Sequence, residues 1–220
     1  MTNIVHEVWK ALDDNPCIRR NMNLGIINTR ALAKYLIIEQ KLDTTIDAVT
    51  SAIRRYQQSK HDKIFDNSLK IIKKTINIST RSGLTEIYLC KDDEIQRLLP
   101  KMFDLIQYVR GDVLRIIQAN ESIRLLIDEK NLEKFKKFFP REKIIHIDIN
   151  LAEINIYIHP DTQQTPGILA IISSELAIQG INIAEAMTCP PELLFFVREE
   201  DLLKAYQVLY QLCKPTKRMK

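Results

Sequence analysis

Residues 165–187 read TPGILAIISSELAIQGINIAEAM. A Pro-Gly pair opens this apolar run, and Gly180 closes it before the alternating stretch Ile181-Asn182-Ile183. Proline is favoured at the first position of a helix and glycine just after the last, so the stretch predicts a helix over 165–180 followed by a strand. The pattern is typical of a helix that binds a ligand at its start and equally of one that only packs on a sheet.

The sequence on both sides of this helix alternates strands and helices twice. Residues 83–150 predict the order strand, helix, strand, strand, helix, strand, with Pro100 kinking the first helix or delaying its start. Residues 151–213 predict strand, helix, strand, strand, helix. The identity between the halves is low, but the order and lengths of their elements correspond, which indicates two ferredoxin-like units with helices on one face of an antiparallel sheet.

Residues 1–80 have a different texture and read almost entirely as helix. One predicted helix starts near Thr44, where Thr44-x-x-Asp47 is a variant capping box, and its buried stripe consists of Ile46, Val49, Ile53 and Tyr56. The helix before it, within INTRALAKYLIIEQ, is capped by Asn28 or Thr29. Together the two predict a helix-turn-helix pair. Residues 60–80 are compatible with another basic helix and then a strand, or with the ribbon of a winged helix.

The exposed face of the helix that starts near Thr44 has short polar residues followed by paired arginines. Short side chains allow close approach to a DNA groove, and arginine reaches phosphates or guanine edges. The candidate DNA-binding residues are Thr45, Thr50, Ser51, Arg54, Arg55 and Gln58. An ordinary three-helix bundle with a solvated polar face is the competing interpretation.

The distribution of charge agrees with two different parts of the chain. Residues 1–80 carry 13 Lys or Arg against 8 Asp or Glu, whereas residues 81–213 carry 15 against 20. A basic front and an acidic back favour an anionic partner for the front part. No stretch has the apolar length of a membrane helix, and the N-terminus lacks the features of a secretion signal, so we expect a cytoplasmic protein without a membrane partner.

Residues with catalytic or metal-binding potential are scattered. The four cysteines have no C-x-x-C spacing, which favours reduced thiols and predicts no metal site. The four histidines are isolated, and neither a phosphate-binding loop nor a Gly-x-Ser-x-Gly elbow occurs. Acidic clusters fall at predicted helix starts, where the helix dipole is sufficient reason for them. We therefore expect neither an enzyme nor a bound cofactor.

Residues 159–212 resemble an ACT domain, and their texture is similar to the second of the paired regulatory units of aspartate kinases. The resemblance rests on the Pro166-Gly167 opening, the ending Gly180-Ile181-Asn182-Ile183, the short strand Leu193–Val197 and the helix that contains Glu200, Asp201 and Ala205. Residues 83–150 resemble a degenerate ACT unit without the Pro-Gly opening. The helical front is similar to that of mostly archaeal proteins predicted to regulate amino-acid metabolism, which join a helix-turn-helix to ACT units.

The resemblance implies an amino-acid site at the start of the glycine-bounded helix. Pro166 presets the first turn, and Gly167 lets backbone amides approach a carboxylate at the positive end of the helix dipole. The residues implied are Asp161, Gln163, Gln164, Thr165, Gly167, Ile181 and Asn182, with Asp161 placed to meet an ammonium group. In ACT proteins the site typically lies where two units meet, so pairing within one chain or across a homodimer is implied.

We expect an α+β chain with an N-terminal all-α helix-turn-helix domain, with or without a wing, at 1–80. A degenerate ACT-like unit at 83–150 and an ACT domain at 151–214 follow, each with the βαββαβ order. The expected function is amino-acid-responsive regulation by a DNA-binding transcriptional regulator that dimerises through its ACT units. The alternatives are a subunit that controls an amino-acid biosynthetic enzyme in trans, and an RNA-binding or purely structural homodimer.

Overall fold

The computed structural model describes residues 4–59 and 64–214, with the side chains of 57–59, 64–66 and 163 excluded. The chain divides into two compact units, Met1–Asn67 and Ser68–Lys220. Five helices come first: α1 (Ile4–Asp13), α2 (Pro16–Asn23), α3 (Thr29–Glu39), α4 (Ile46–Ser59) and α5 (Ile64–Ile72). The rest of the described chain contains β1 (Asn77–Cys90), α6 (Asp93–Met102), β2 (Leu114–Gln118), β3 (Ser122–Asp128), α7 (Leu132–Phe138), β4 (Ile144–Tyr157), α8 (Ile168–Ile178), β5 (Glu185–Cys189), β6 (Glu192–Arg198) and α9 (Leu202–Cys213).

The first unit is built around a core to which α1, α3 and α4 contribute. The fully buried members of this core include Val8, Leu12, Ala33, Val49 and Ile53. The Trp9 indole N–H donates to the Ala52 carbonyl at 3.0 Å, which fixes α1 against α4. Three residues of the predicted stripe of α4 are therefore buried, Val49, Ile53 and Tyr56, and the partly buried Ile46 packs against them.

The helix starts in this unit agree with the capping rules in one case and differ by one residue in the other. The Asn28 side chain accepts hydrogen bonds from the first amides of α3, as one of the two predicted caps. Helix α4 is capped by Thr45, whose hydroxyl accepts the Ala48 N–H at 3.3 Å, and not by Thr44. Asp47 does not act in a capping box; its carboxylate pairs with Arg30 at 3.2 Å.

The boundary between the units lies earlier than the predicted residue 80. Residues 64–72 form α5, whose later part belongs to the second unit, and β1 begins at Asn77. No strand occurs among the described residues before Asn77, so the segment is a helix followed by a strand of the large sheet and forms no separate wing. Residues 60–63 lie outside the described part of the chain.

The second unit is a six-stranded sheet with the order β2-β3-β1-β4-β6-β5, and every neighbouring pair is antiparallel. Helices α6 and α7 pack on the β2-β3-β1 side through a core that includes Ile87, Leu125, Ile95 and Phe135. Helix α9 lies against β1, β4 and β6. Among the described residues, no helix is both long enough and apolar enough to cross a membrane.

Strands β1 and β4 each run through both halves of the repeat, which the sequence did not predict. Residues 84–90 and 144–148 belong to the first half, whereas residues 77–81 pair with residues 153–157 in the second. The second half therefore takes its fourth strand from the start of β1 and not from a strand after α9. The predicted division at residue 150 falls inside one continuous strand for the same reason.

The strands pass from one half to the other at two compensating bulges. Register shifts put one extra residue on β1 between Arg81 and Leu84 and one on β4 opposite the step from Leu84 to Glu86. Gly83 and Asn150 lie in these steps with φ of 68° and 58°, a left-handed conformation that glycine adopts freely and asparagine tolerates. The extra residues bend both strands at the same place.

The sheet curls so strongly that the faces without helices meet. Strands β3 and β5 are four strand spacings apart, about 19 Å in a flat sheet, yet Arg124 on β3 and Glu185 on β5 are 2.5 Å apart. Apolar residues of both halves fill the space between these faces: Leu84, Val113, Leu126, Leu151, Leu194 and Phe196. The two halves therefore share a core as well as two strands.

Two equivalent ion pairs flank the bulges with reversed polarity. In one pair the cation is Arg81 on β1, and its guanidinium contacts the Asp128 carboxylate at the end of β3 at 2.5 Å. In the other pair the anion is Asp148 on β4 and the cation is Arg198 at the end of β6, also at 2.5 Å. Each arginine also donates to a backbone carbonyl, that of Gly111 for Arg81 and that of Ile149 for Arg198.

Glu86 is a buried carboxylate in the same interior, with no exposed surface. Burial raises the pKa of Glu86, and the hydrogen bond from the Tyr88 hydroxyl at 3.0 Å and the charge of Arg124 oppose this shift. Arg124 lies 3.9 Å from Glu86 and only 2.5 Å from Glu185, so Glu185 is its main partner. Glu86 Oε1 has no hydrogen-bond partner among the described residues. The environment therefore favours the neutral acid.

We predict that Glu86→Gln stabilises the protein at pH 8 by about 1 kcal/mol, because the amide removes a buried charge and keeps the bond from Tyr88. A carboxyl with a raised folded pKa contributes most below its unfolded pKa and loses that contribution as pH rises, so the gain should shrink between pH 8 and pH 5. Urea denaturation at both pH values measures it. Glu133→Gln on the exposed face of α7 is the control and should change stability much less. A Glu86 variant less stable than the parent at pH 8 would contradict the assignment.

Candidate functional site

The start of α8 is a helix N-terminus without a side-chain cap. Residues 160–164 form a short 3-10 helix, and Gly167 follows Pro166 with φ of 86°, a left-handed conformation that other residues adopt with strain. The first hydrogen bond of α8 runs from the Ile171 N–H to the Gly167 carbonyl at 3.0 Å. The amides of the first turn have no acceptor within the helix, and Gly167 has no side chain to provide one.

A cavity of about 600 Å³ opens at this turn. Its floor and rim come from the end of β4, the Pro-Gly turn, the first residues of α8 and the β5–β6 turn. The lining residues are Ile158, Thr162, Thr165, Gly167, Ile168, Leu169, Ala170, Thr188, Pro190 and Leu193. A mostly apolar wall with a few hydroxyls and free amides is the usual composition of a small-molecule site.

The Pro-Gly turn and the residues before it are held by α5 and by the segment between α5 and β1. Ser68, which has no exposed surface, donates its hydroxyl to the Pro166 carbonyl at 2.5 Å. A Cβ on Gly167 would lie 3.4 Å from the same hydroxyl, so the packing at this point is close. Lys74 pairs with Asp161 at 3.0 Å. The turn is therefore anchored at two places by residues that come much earlier in the chain.

Two of the sequence-predicted ligand residues lie at the cavity, Thr165 and Gly167. The Thr165 hydroxyl donates to the Asp161 carbonyl at 2.7 Å, which leaves its oxygen able to accept. Gln164 is exposed and does not line the cavity, and the side chain of Gln163 lies outside the described part.

Asp161 does not line the cavity, and its carboxylate already has a cationic partner. The hydrogen bond from Lys74 is the main cause that holds the pKa of Asp161 below its ordinary value. His159 Nδ1 lies 3.3 Å from the same carboxylate. The predicted encounter of Asp161 with a ligand ammonium would have to displace Lys74.

Ile181 and Asn182 lie at the opposite end of α8. The helix has 11 residues, so they are about 16 Å along its axis from Gly167. Ile181 is buried and its N–H closes the helix on the Leu176 carbonyl at 3.1 Å, whereas Asn182 is exposed. Within one chain the two predicted ends of the site are therefore separate.

Three segments contribute residues to the site that the sequence pattern does not predict. Thr162 is only 5% exposed and lines the cavity, Thr188 and Pro190 reach it from the β5–β6 turn, and Ser68 supports it from α5. None of them belongs to the Pro-Gly pattern, since tertiary folding brings these segments together. Thr162 alone is close enough in sequence to Thr165 for the pattern to have drawn attention to it.

The equivalent helix of the first half is closed by its own side chain. Asp92 caps α6 by accepting the Ile95 N–H at 2.9 Å, and Lys143 contacts its second oxygen at 2.6 Å. The backbone bond from Ile95 and then the bond from Lys143 hold the pKa of Asp92 below its ordinary value. An anionic group therefore already occupies the position that is open at α8.

Only part of the predicted DNA-binding face of α4 is exposed. Ser51, Arg54 and Arg55 are exposed. Thr50 is a correction, because it is buried with 9% exposure and lies beside the apolar stripe, so it cannot reach DNA. Thr45 is exposed, but its hydroxyl caps the helix. The sixth predicted residue, at position 58, has its side chain outside the described part of the chain.

The predicted Gln58 contact therefore stays a prediction. The exposed surface that remains on α4 consists of one short polar side chain, Ser51, and two basic ones, Arg54 and Arg55. No ion pair engages Arg54 or Arg55 within the described ranges, so both guanidinium groups are available to an anionic partner.

No family model matches the sequence, and neither does any curated protein. Solved structures do match. The regulatory subunits of aspartate kinase from Thermus thermophilus, in a ligand-free form, and from Thermus flavus are 14% and 15% identical, each with a TM-score of 0.51, and 63% of this chain covers 98% of each. Aspartate kinase from Clostridium acetobutylicum is 19% identical over 64% of this chain, which spans only 35% of that enzyme, with a TM-score of 0.49.

The two Thermus structures show that this chain contains the fold of an aspartate kinase regulatory region, the ACT-type fold. The likeness confirms the resemblance that the sequence suggested for the sheet-forming part. It concerns the fold alone, because the identities are low.

We predict that Ser68→Ala destabilises the second unit by about 1–2 kcal/mol, because the Pro166 carbonyl loses a buried donor. Chemical denaturation followed by circular dichroism measures the loss. Ser79→Ala on the exposed surface of β1 is the matched control and should change stability by less than about 0.5 kcal/mol. Equal stability of the two variants would show that the Ser68 bond does not hold the turn.

Proposed function

We propose that this protein is an amino-acid-responsive regulator that binds its effector at the start of α8. The observation that carries the proposal is the uncapped N-terminus of α8, which opens onto the cavity and meets no carboxylate side chain in the described lining. Every free amino acid has a carboxylate, and the free amides and the positive dipole end at a helix start stabilise such an anion.

The contact between Ser68 and the Pro-Gly turn offers a path from ligand binding to a response. Helix α5 is the element through which the chain passes from the first unit to the second. A ligand that reorders residues 165–167 changes the acceptor of the Ser68 hydroxyl. The ligand shifts the protein toward the arrangement that it binds more tightly, by its difference in affinity for the two arrangements.

DNA binding by the first unit is the output that we propose. The exposed surface of α4 combines a short polar residue, Ser51, with the basic residues Arg54 and Arg55. Helix α3 precedes α4 as in a helix-turn-helix pair. The connection over residues 40–45 is longer than the turn of about three or four residues usual in that motif. In a homodimer, two such helices would contact half-sites about 34 Å apart.

Control of an amino-acid biosynthetic enzyme in trans is the second candidate. The two Thermus proteins are described as regulatory subunits, which favours a chain that regulates a separate catalytic partner. In that case the first unit would bind a protein instead of DNA. Neither candidate requires catalysis by this chain.

We predict that at least one L-amino acid stabilises the full chain in a thermal-shift panel of all twenty. At a hundredfold excess over its dissociation constant, a ligand that binds only the native state adds about 2.7 kcal/mol to the free energy of unfolding. D-enantiomers at equal concentration are the control for nonspecific solute effects. A panel without any shift would contradict the sensing proposal.

We predict that Arg54→Ala/Arg55→Ala weakens binding to duplex DNA, because two phosphate contacts are lost. The negative slope of log K against log salt should become smaller in magnitude by about 2. Fluorescence anisotropy between about 50 and 200 mM salt measures both. Lys134→Ala/Lys137→Ala on exposed α7 removes the same charge and should leave the slope unchanged. Equal slopes for the two double variants would favour regulation in trans.

A further inference from the structure

The cavity at the start of α8 has no charged side chain in its described lining. Six lining residues are apolar, Ile158, Ile168, Leu169, Ala170, Pro190 and Leu193, and the polar ones are the threonines at 162, 165 and 188. Asp161 lies outside this lining, and its carboxylate pairs with Lys74. The side chain of a bound ligand therefore meets aliphatic carbon and hydroxyl groups only.

A charged ligand side chain would be unfavourable in such a place. Removing an ammonium, guanidinium or carboxylate from water without an ionic partner is strongly unfavourable, whereas removing an aliphatic group from water is favourable. The one negative group that the cavity can stabilise is a carboxylate at the free amides of α8. Lysine, arginine, aspartate and glutamate each carry one charged group too many.

Thr162 supplies a separate indication that a ligand belongs here. It is 5% exposed, and its backbone N–H donates to the His159 carbonyl at 2.9 Å. The residue lines the cavity, and its hydroxyl has no hydrogen-bond partner within the part of the chain that the structure describes. A polar group of a ligand in the cavity would give the hydroxyl of this buried residue the partner that the protein does not provide.

On the basis of the proposed function, we infer that the effector is an amino acid with a branched aliphatic side chain, namely valine, leucine or isoleucine. Its carboxylate lies at the amides of Ile168 and Leu169, and its side chain packs against Ile158 and Leu193. The Thr162 hydroxyl binds the polar end of the amino acid, which carries the carboxylate and ammonium groups. The hydroxyl oxygens of the other two threonines accept from the ammonium group, in place of a carboxylate.

The test is isothermal titration calorimetry of the full chain. The aliphatic ligands are L-valine, L-leucine and L-isoleucine, and the charged ones are L-lysine, L-arginine, L-aspartate and L-glutamate. The aliphatic ligands should bind at least about tenfold more tightly than the charged ones. Thr162→Val has the same shape without the hydroxyl and should weaken aliphatic binding about tenfold. Thr80→Val, at an exposed position of β1, is the matched control and should not change it.

A second variant does not depend on the folding of a buried substitution. Leu169 is 44% exposed, so Leu169→Glu should fold, and it places a carboxylate at the cavity. It should reduce the affinity for aliphatic ligands at least about tenfold and raise that for lysine.

The outcomes separate the inference from the proposal on which it rests. If no amino acid binds, the sensing function itself is wrong. If a charged amino acid binds the parent protein and the aliphatic ones do not, sensing stands and the aliphatic class is wrong. If aliphatic ligands bind but neither Thr162→Val nor Leu169→Glu weakens them, their site lies elsewhere and the inference is overturned.

Discussion

The second unit depends on two strands that each serve both halves of a repeated fold. Because β1 and β4 pair along their length, neither half has a complete sheet without the other. The bulges at Gly83 and Asn150 bend both strands at one place and bring the helix-free faces together around Leu84, Leu151 and Phe196. The turn at the start of α8 follows closely on the end of β4, so the geometry of the candidate site is inherited from this arrangement.

Local signals made most of the elements predictable, and non-local pairing explains what was missed. Hydrophobic periodicity and the glycine and proline positions predicted α4, α8 and the hairpin of β2 and β3. The predicted boundary between the two ACT-like units was placed at Asn150. An asparagine in a left-handed conformation can also continue a strand through a bulge, as it does here. That residues 77–81 complete the second half depends on pairing with residues 153–157, for which a single sequence carries no signal.

The candidate site was predictable to the extent that its chemistry is local. The Pro-Gly pair predicted an open helix start, and the structure places Gly167 there. Asp161 looked available because its partner, Lys74, is far away in the sequence. Thr50 could have been recognised as buried, since it lies four positions after Ile46 and three before Ile53, on the same side of α4. The closure of α6 by its own aspartate leaves the two halves unequal, with one uncapped helix start of the pair.

The ion pairs beside the bulges have opposite polarity, which distinguishes the positions of the two similar strands β3 and β6. Strands β3 and β6 hold corresponding places in the repeat, one beside β1 and the other beside β4. If they exchanged places, Asp128 would face Asp148, and Arg198 would face Arg81. Like charges at that distance repel, so the exchanged topology is penalised at both positions at once. In this duplicated architecture, two carboxylates and two guanidinium groups therefore favour the native order of strands over the exchanged one.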